Sequence, residues 1–110
     1  MNTRIDQLKE FLKEDPSDTF LIYALALEYN KAETPDLAIQ TFLELMNKNP
    51  EYIATYYQLG KLYESTNETT KASEIYLKGM ELTKKDVNKK TFLELKEAYN
   101  LLMDIDEDEW

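Results

Sequence analysis

The sequence contains no cysteine and no histidine. These absences exclude disulfide bonds, thiol redox chemistry, zinc sites built from cysteine and histidine, and catalysis by a serine or cysteine paired with histidine. No apolar run approaches the roughly 20 residues that a membrane-spanning helix needs. Charged residues interrupt the N-terminal segment, which is not the pattern of a signal peptide. We therefore expect a cytoplasmic protein without membrane partners.

Turn-forming residues are also scarce, with 2 glycines and 3 prolines among 110 residues. The strong helix formers alanine, leucine, glutamate and lysine dominate instead. No glycine-rich phosphate-binding loop is present, and no pair of carboxylates is marked out for acid–base chemistry. This composition predicts an all-α protein that is not an enzyme and holds no cofactor.

The formal net charge is −9, from 22 acidic and 13 basic residues. An acidic surface repels phosphate groups, so nucleic acid is not an expected partner. The alternating aspartates of the last segment resemble the start of a calcium loop, but the required glycine and the final glutamate are missing. We interpret residues 105–110 as an acidic tail without a metal. Two interpretations of Trp110 stay open: packing back onto an apolar patch, or docking onto another protein.

The same apolar spacing occurs twice in the chain, 34 residues apart. Each copy contains two apolar stripes with helical spacing, separated by KAETPD in the first copy and STNETT in the second. In the first linker, Thr34 is expected to cap the following helix and Pro35 to occupy its first turn. Each copy is therefore predicted to form a helix–turn–helix hairpin. The aligned pairs are Ile22 with Tyr56, Leu25 with Leu59, Ala26 with Gly60, Tyr29 with Tyr63, Ala38 with Ala72, and Phe42 with Tyr76.

In these residues the sequence resembles the tetratricopeptide repeat (TPR) family, whose signature is W-x2-L-G-x2-Y, then A-x3-F, then P. The departures are mild: Ala26 replaces glycine in the first copy, and Lys84 stands where the closing proline would be in the second. The first copy keeps that proline as Pro50. The resemblance implies an all-α, right-handed solenoid stack of about six helices.

The implied organisation is a capping helix in residues 1–16, repeats in 17–50 and 51–86, a second capping helix in 87–104, and the tail. The small residues Ala26 and Gly60 are expected to admit close helix contacts. The predicted core residues are Leu25, Tyr29, Ala38, Phe42, Leu59, Tyr63, Ala72, Tyr76, Leu95 and Tyr99.

In TPR proteins the first helix of each repeat lines a concave groove that receives a peptide or protein segment. The resemblance implies a non-enzymatic adaptor or scaffold, with apolar ligand side chains buried against Tyr23, Leu27 and Tyr57, and hydrogen bonds from Lys61 and Asn30. An alternative is that the same ridge is covered by a capping helix or by a second copy in a homodimer. The implied groove residues are Phe20, Tyr23, Leu27, Asn30, Tyr57, Lys61 and Glu64.

One TPR subclass, found in co-chaperones, grips acidic chaperone tails with a clamp of basic and amide side chains. Tyr23 and Leu27 occupy the first two clamp positions here, and Glu94 stands where an arginine is needed. The clamp is therefore absent, and an acidic tail is not the expected ligand.

Overall fold

Six α-helices joined by short turns make up the described part of the chain. The computed structural model describes residues 3–85 and 89–104, so the predicted tail at 105–110, with Trp110, lies outside the described residues. No strand occurs within the described ranges, and the all-α prediction is confirmed. The helices are α1 (Thr3–Glu14), α2 (Thr19–Lys31), α3 (Pro35–Lys48), α4 (Ala54–Ser65), α5 (Thr69–Thr83) and α6 (Lys90–Met103).

The chain divides into two compact units between Thr55 and Tyr56. The first unit holds α1 to α3, and the second holds nearly all of α4 together with α5 and α6. The domain boundaries expected from the sequence stay predictions, and each unit is described below by itself.

In the first unit, α1 packs against α2 and α2 packs against α3. Two polar contacts join the end of α3 to the start of α2. The Asn49 amide donates to the Thr19 hydroxyl at 3.3 Å, and the Lys48 ammonium donates to the Pro16 carbonyl at 3.4 Å. The core of the unit is apolar and consists of Ile5, Leu8, Ile22, Leu25, Ala26, Tyr29, Ala38, Phe42 and Leu45.

In the second unit, both glycines of the chain mark close approaches between helices. A Cβ added at Gly60 on α4 would overlap the ring of Tyr76 on α5, which confirms the close contact predicted there. A Cβ added at Gly79 would lie 2.8 Å from Cβ of Tyr56 and 2.9 Å from Cδ1 of Leu95. The close approach at Gly79 was not predicted from the sequence. Glycine is needed at both positions because any side chain would overlap a buried neighbour.

The predicted core residues are buried in all cases but one. Tyr99 was expected in the core, yet its side chain is only half-buried. The physical reason is its place on α6, since no described helix follows α6 to cover the outer flank of that helix.

The turns between the paired helices repeat one backbone geometry. Glu33 and Asn67, at matching positions, both adopt left-handed backbone angles, with φ of 60° and 63°. In the first turn, the Thr34 N–H donates to the Tyr29 carbonyl at 3.0 Å and the Glu33 N–H donates to the Asn30 carbonyl at 3.1 Å. This is the Schellman arrangement, which satisfies the last carbonyls of a helix and favours glycine or asparagine at the left-handed residue.

The polar side chains of these turns act on the preceding helix. We predicted that Thr34 caps α3, but its hydroxyl donates to the Tyr29 carbonyl at 2.8 Å, at the end of α2. The Ser65 hydroxyl likewise donates to the Leu62 carbonyl at 2.7 Å, and the residue before α5 provides no side-chain cap. The capping prediction for Thr34 is wrong because the left-handed turn at Glu33 folds this side chain back over the helix that has just ended. Pro35 does begin α3, as predicted.

Replacing Glu33 by glycine should stabilise the protein. Glutamate pays a steric cost in the left-handed conformation that glycine does not, and part of that gain is offset by the flexibility of glycine in the unfolded chain. We expect the free energy of unfolding to rise by about 0.5–1 kcal/mol. Urea denaturation measures it. The control Glu33→Gln removes the same charge but keeps the strain, so equal stability of the two variants would contradict the explanation.

Candidate functional site

Three predicted groove residues lie together on one face of α4. Tyr57, Lys61 and Glu64 are spaced by four and three residues, so they share one side of the helix. The Lys61 ammonium lies 5.9 Å from the centroid of the Tyr57 ring and 3.9 Å from a carboxylate oxygen of Glu64. We call this face the α4 ridge (Tyr57, Lys61, Glu64). Its lysine contacts both an aromatic ring and a carboxylate.

The α4 ridge is tied to the core through Tyr76. The hydroxyl of this fully buried tyrosine donates a hydrogen bond to Oε2 of Glu64. Burial, together with this hydrogen bond, raises the pKa of Tyr76 well above its ordinary value. Glu64 is therefore held by a buried donor on one side and by Lys61 on the other. This interaction was not predicted from the sequence.

A comparison of the two repeats contains a signal for this contact. The second repeat differs from the first at three matching positions that meet in the contact: Gly60 for Ala26, Glu64 for Asn30, and Tyr76 for Phe42. The hydroxyl and its acceptor are gained together, and the residue facing the ring loses its side chain. The three changes are physically consistent with one another.

The predicted groove residues of the first repeat lie on α2, and we call this set the α2 ridge (Phe20, Tyr23, Leu27, Asn30). Phe20 is 64% exposed, and Asn30 is also exposed. Tyr23 packs edge-on against Phe42, with ring centroids 6.0 Å apart, and against Tyr52, with centroids 5.3 Å apart. Leu27 is partly buried. Tyr23 thus contributes to the packing of the first unit, whereas Phe20 presents its ring to solvent.

A cleft of about 240 Å³ separates the α4 ridge from α6 in the second unit. From α6 it receives residues at a spacing of three, one and three, which places them on one helix face. Leu101 is 74% exposed, and Glu94 and Glu97 are exposed as well. The groove prediction included only the two α4 residues of this cleft. Its lining residues are Tyr57, Lys61, Glu94, Glu97, Ala98 and Leu101.

The described residues contain neither a metal site nor a membrane-spanning helix, and their two glycines serve packing. Within residues 3–85 and 89–104, no three acidic side chains come together in a way that could hold a metal ion. None of the helices described has the length and apolar character required to cross a membrane. Both glycines lie inside helices, where they serve packing.

Comparison with known proteins identifies the family. No protein-family model and no curated protein matches the chain. The solution NMR structure of a tetratricopeptide repeat domain protein from Salinibacter ruber matches with 38% identity and a TM-score of 0.76, over 82% of this chain and 91% of that one. A crystal structure of a Salinibacter ruber tetratricopeptide repeat domain matches with 37% identity and a TM-score of 0.73, over 78% and 97%.

The chain belongs to the tetratricopeptide repeat family.

A more distant TPR structure supports the same fold. The TPR2B domain of yeast Sti1, solved as a complex with pHsp70, has 17% identity to this chain and a TM-score of 0.82, over 91% of this chain and 80% of that one. At this identity the similarity concerns the fold alone. TPR domains in general are protein-interaction modules and are typically not enzymes.

The contact between Gly60 and Tyr76 can be tested with a double-mutant cycle. Gly60→Ala should destabilise the protein by about 1–3 kcal/mol, because the new Cβ overlaps a ring that the hydrogen bond to Glu64 holds in place. In the Tyr76→Phe background the cost should be smaller, since that ring is not tethered and the first repeat has alanine and phenylalanine at these positions. Chemical denaturation of the four proteins measures both costs. Stabilisation by Gly60→Ala, as expected from helix propensity alone, would contradict the overlap.

The raised pKa of Tyr76 predicts a loss of stability at alkaline pH. The folded protein keeps this phenol neutral, whereas the unfolded chain ionises it near the ordinary value of about 10. The stabilising contribution is complete below that pH and is lost as the pH rises above it. Between about pH 9 and 11, the wild type should lose roughly 1 kcal/mol more than Tyr76→Phe. Urea denaturation across this range gives the comparison, and equal losses would contradict the assignment.

Proposed function

We propose that this TPR chain is a non-enzymatic interaction module that binds a peptide or protein segment through the exposed faces of its first helices, the α2 ridge and the α4 ridge. Family membership supports an interaction role in general. The choice of these faces follows the family, in which the first helices receive the ligand. The proposal assigns no catalytic residue, no metal and no cofactor.

The observation that carries the proposal is the arrangement of the α4 ridge beside its cleft. Tyr57 is half-buried and lines an open cleft together with the exposed Leu101. Binding sites in proteins combine apolar and aromatic walls with a few placed polar groups, and Tyr is enriched among residues that dominate binding energy. The tether from Tyr76 to Glu64 orders this face before a ligand arrives, which lowers the entropy cost of binding.

On the α2 ridge the proposal relies on Phe20. A phenylalanine that is 64% exposed gains apolar burial when a ligand covers it, at about 25 cal/mol for each Å² removed from water. At the other end of this ridge, Asn30 is exposed and carries both a donor and an acceptor for the backbone of a ligand. On the α4 ridge, Lys61 has three donors, of which its contact with Glu64 uses only part.

Selection from a displayed random-peptide library tests the proposal without a known ligand. Peptides selected on the wild type are then measured against Phe20→Ser and Tyr57→Ala. Each variant should bind at least about tenfold more weakly, as expected for an aromatic residue at a binding surface. The matched controls are Leu43→Ser on α3 and Leu77→Ser on α5, which remove exposed leucines at matching positions of the second helices and should bind normally.

Circular dichroism first establishes that all four variants are as helical as the wild type. Peptides that bind the Phe20 and Tyr57 variants normally but lose affinity for the leucine variants would move the binding surface to the second helices. The homodimer alternative is examined by sedimentation at several protein concentrations. A dimer that Phe20→Ser or Tyr57→Ala dissociates, with no peptide selected, would replace the proposal by self-assembly.

A further inference from the structure

The cleft between the α4 ridge and α6 is lined by more acidic than basic side chains. Two carboxylates line it, those of Glu94 and Glu97, and neither forms an ion pair with another residue in the described ranges. The only base in the lining is Lys61, which already lies 3.9 Å from the carboxylate of Glu64. The lysines of α6, Lys90 and Lys96, are not among the lining residues. The cleft therefore carries net negative charge that the residues around it do not neutralise.

The walls of the cleft suit a long side chain with a polar end. The Tyr57 ring forms one wall, the buried Ala98 contributes from α6, and the exposed Leu101 extends the apolar surface outward. The methylene stems of lysine and arginine lie along such surfaces while the charged group reaches a polar partner. A volume of about 240 Å³ is below the range of drug-sized ligand pockets, which start at roughly 300 Å³, and it suits a single side chain.

From these observations we infer that the cleft accepts an arginine or lysine side chain of the bound segment, so that the ligand of this TPR module is a basic peptide at that point. The inference rests on the proposed function and names its ligand class. A purely apolar occupant would cover Glu94 and Glu97 without compensating their charge, and such burial is costly. An acidic occupant would meet both these carboxylates and a chain whose net charge is −9.

Arginine fits the cleft better than lysine. Its planar guanidinium presents several donors, which allows contact with both carboxylates, and its face can stack against an aromatic ring such as that of Tyr57. Lysine supplies the same charge as a single compact group. We expect arginine to be the more frequent of the two residues at this position of the ligand.

The test combines the displayed random-peptide library with three single charge-reversal variants and one double variant. Glu94→Lys and Glu97→Lys change the cleft, and Glu74→Lys makes the same change at an exposed position on α5 outside it. Peptides selected on the wild type should be enriched in arginine and lysine. They should bind each cleft variant at least about tenfold more weakly and bind Glu74→Lys within about twofold of the wild type. Selection on the double variant Glu94→Lys/Glu97→Lys should instead enrich aspartate and glutamate.

Salt provides a second readout. Raising the ionic strength from about 0.05 to 0.5 M should weaken binding of the basic peptides, because partly exposed charge pairs are screened. Circular dichroism and urea denaturation again check that the charge variants are folded.

The outcomes separate the inference from the proposed function. If the selected peptides lose affinity for Tyr57→Ala but show no basic enrichment and bind Glu94→Lys and Glu97→Lys normally, the inference is wrong and the proposed function stands. If Glu74→Lys weakens binding as much as the cleft variants do, the effect comes from the net charge of the chain. That result would also overturn the inference that the cleft accepts a basic side chain. If no peptide binds, or none depends on Phe20 or Tyr57, the proposed function fails and the inference fails with it.

Discussion

The approach of α4 to the ring of Tyr76 orders much of the second unit. Gly60 has no side chain, and the ring occupies the space where a Cβ would lie. From that position the hydroxyl reaches Glu64, Glu64 holds Lys61, and the ammonium of Lys61 lies over the ring of Tyr57. The absence of a side chain at Gly60 therefore determines how the side chains are arranged on the exposed face of the same helix.

The first repeat has the same order of helices and turns, but its surface side chains are held by different contacts. Phe42 has no hydroxyl, and Asn30 at the position matching Glu64 is exposed. Aromatic packing takes the place of the tether, since Tyr23 contacts the rings of both Phe42 and Tyr52 edge-on. Such pairs contribute about 0.5–1.5 kcal/mol beyond the burial of their area. The two repeats are thus similar in their cores and different in what they present to a ligand.

The sequence predicted the fold well because the features that specify it are periodic. The spacing of large and small residues reports directly which helix face is buried, and the repeated spacing identified both hairpins and the contact at Gly60. The role of Thr34 was missed because it depends on the sign of φ at the preceding turn residue, which composition does not reveal for Glu33.

The candidate site was predictable only in part, for a related reason. The α4 ridge followed from the family pattern. The hydrogen bond from Tyr76 to Glu64 and the carboxylates of α6 in the cleft join side chains that are distant in sequence, and their meeting depends on how helices pack. The residue pattern of a single helix does not contain that information. The coordinated differences between the two repeats do indicate the contact between Tyr76 and Glu64.

The most direct test of this account is an NMR measurement of intermolecular NOEs between the isotope-labelled protein and an unlabelled bound peptide. If the tethered face of α4 is the binding surface, the peptide should show contacts to the ring of Tyr57 and to the methyl groups of Leu101. Contacts confined to the exposed leucines of the second helices, Leu43 and Leu77, would contradict it. The ligand would then bind a surface that the Tyr76 tether does not order.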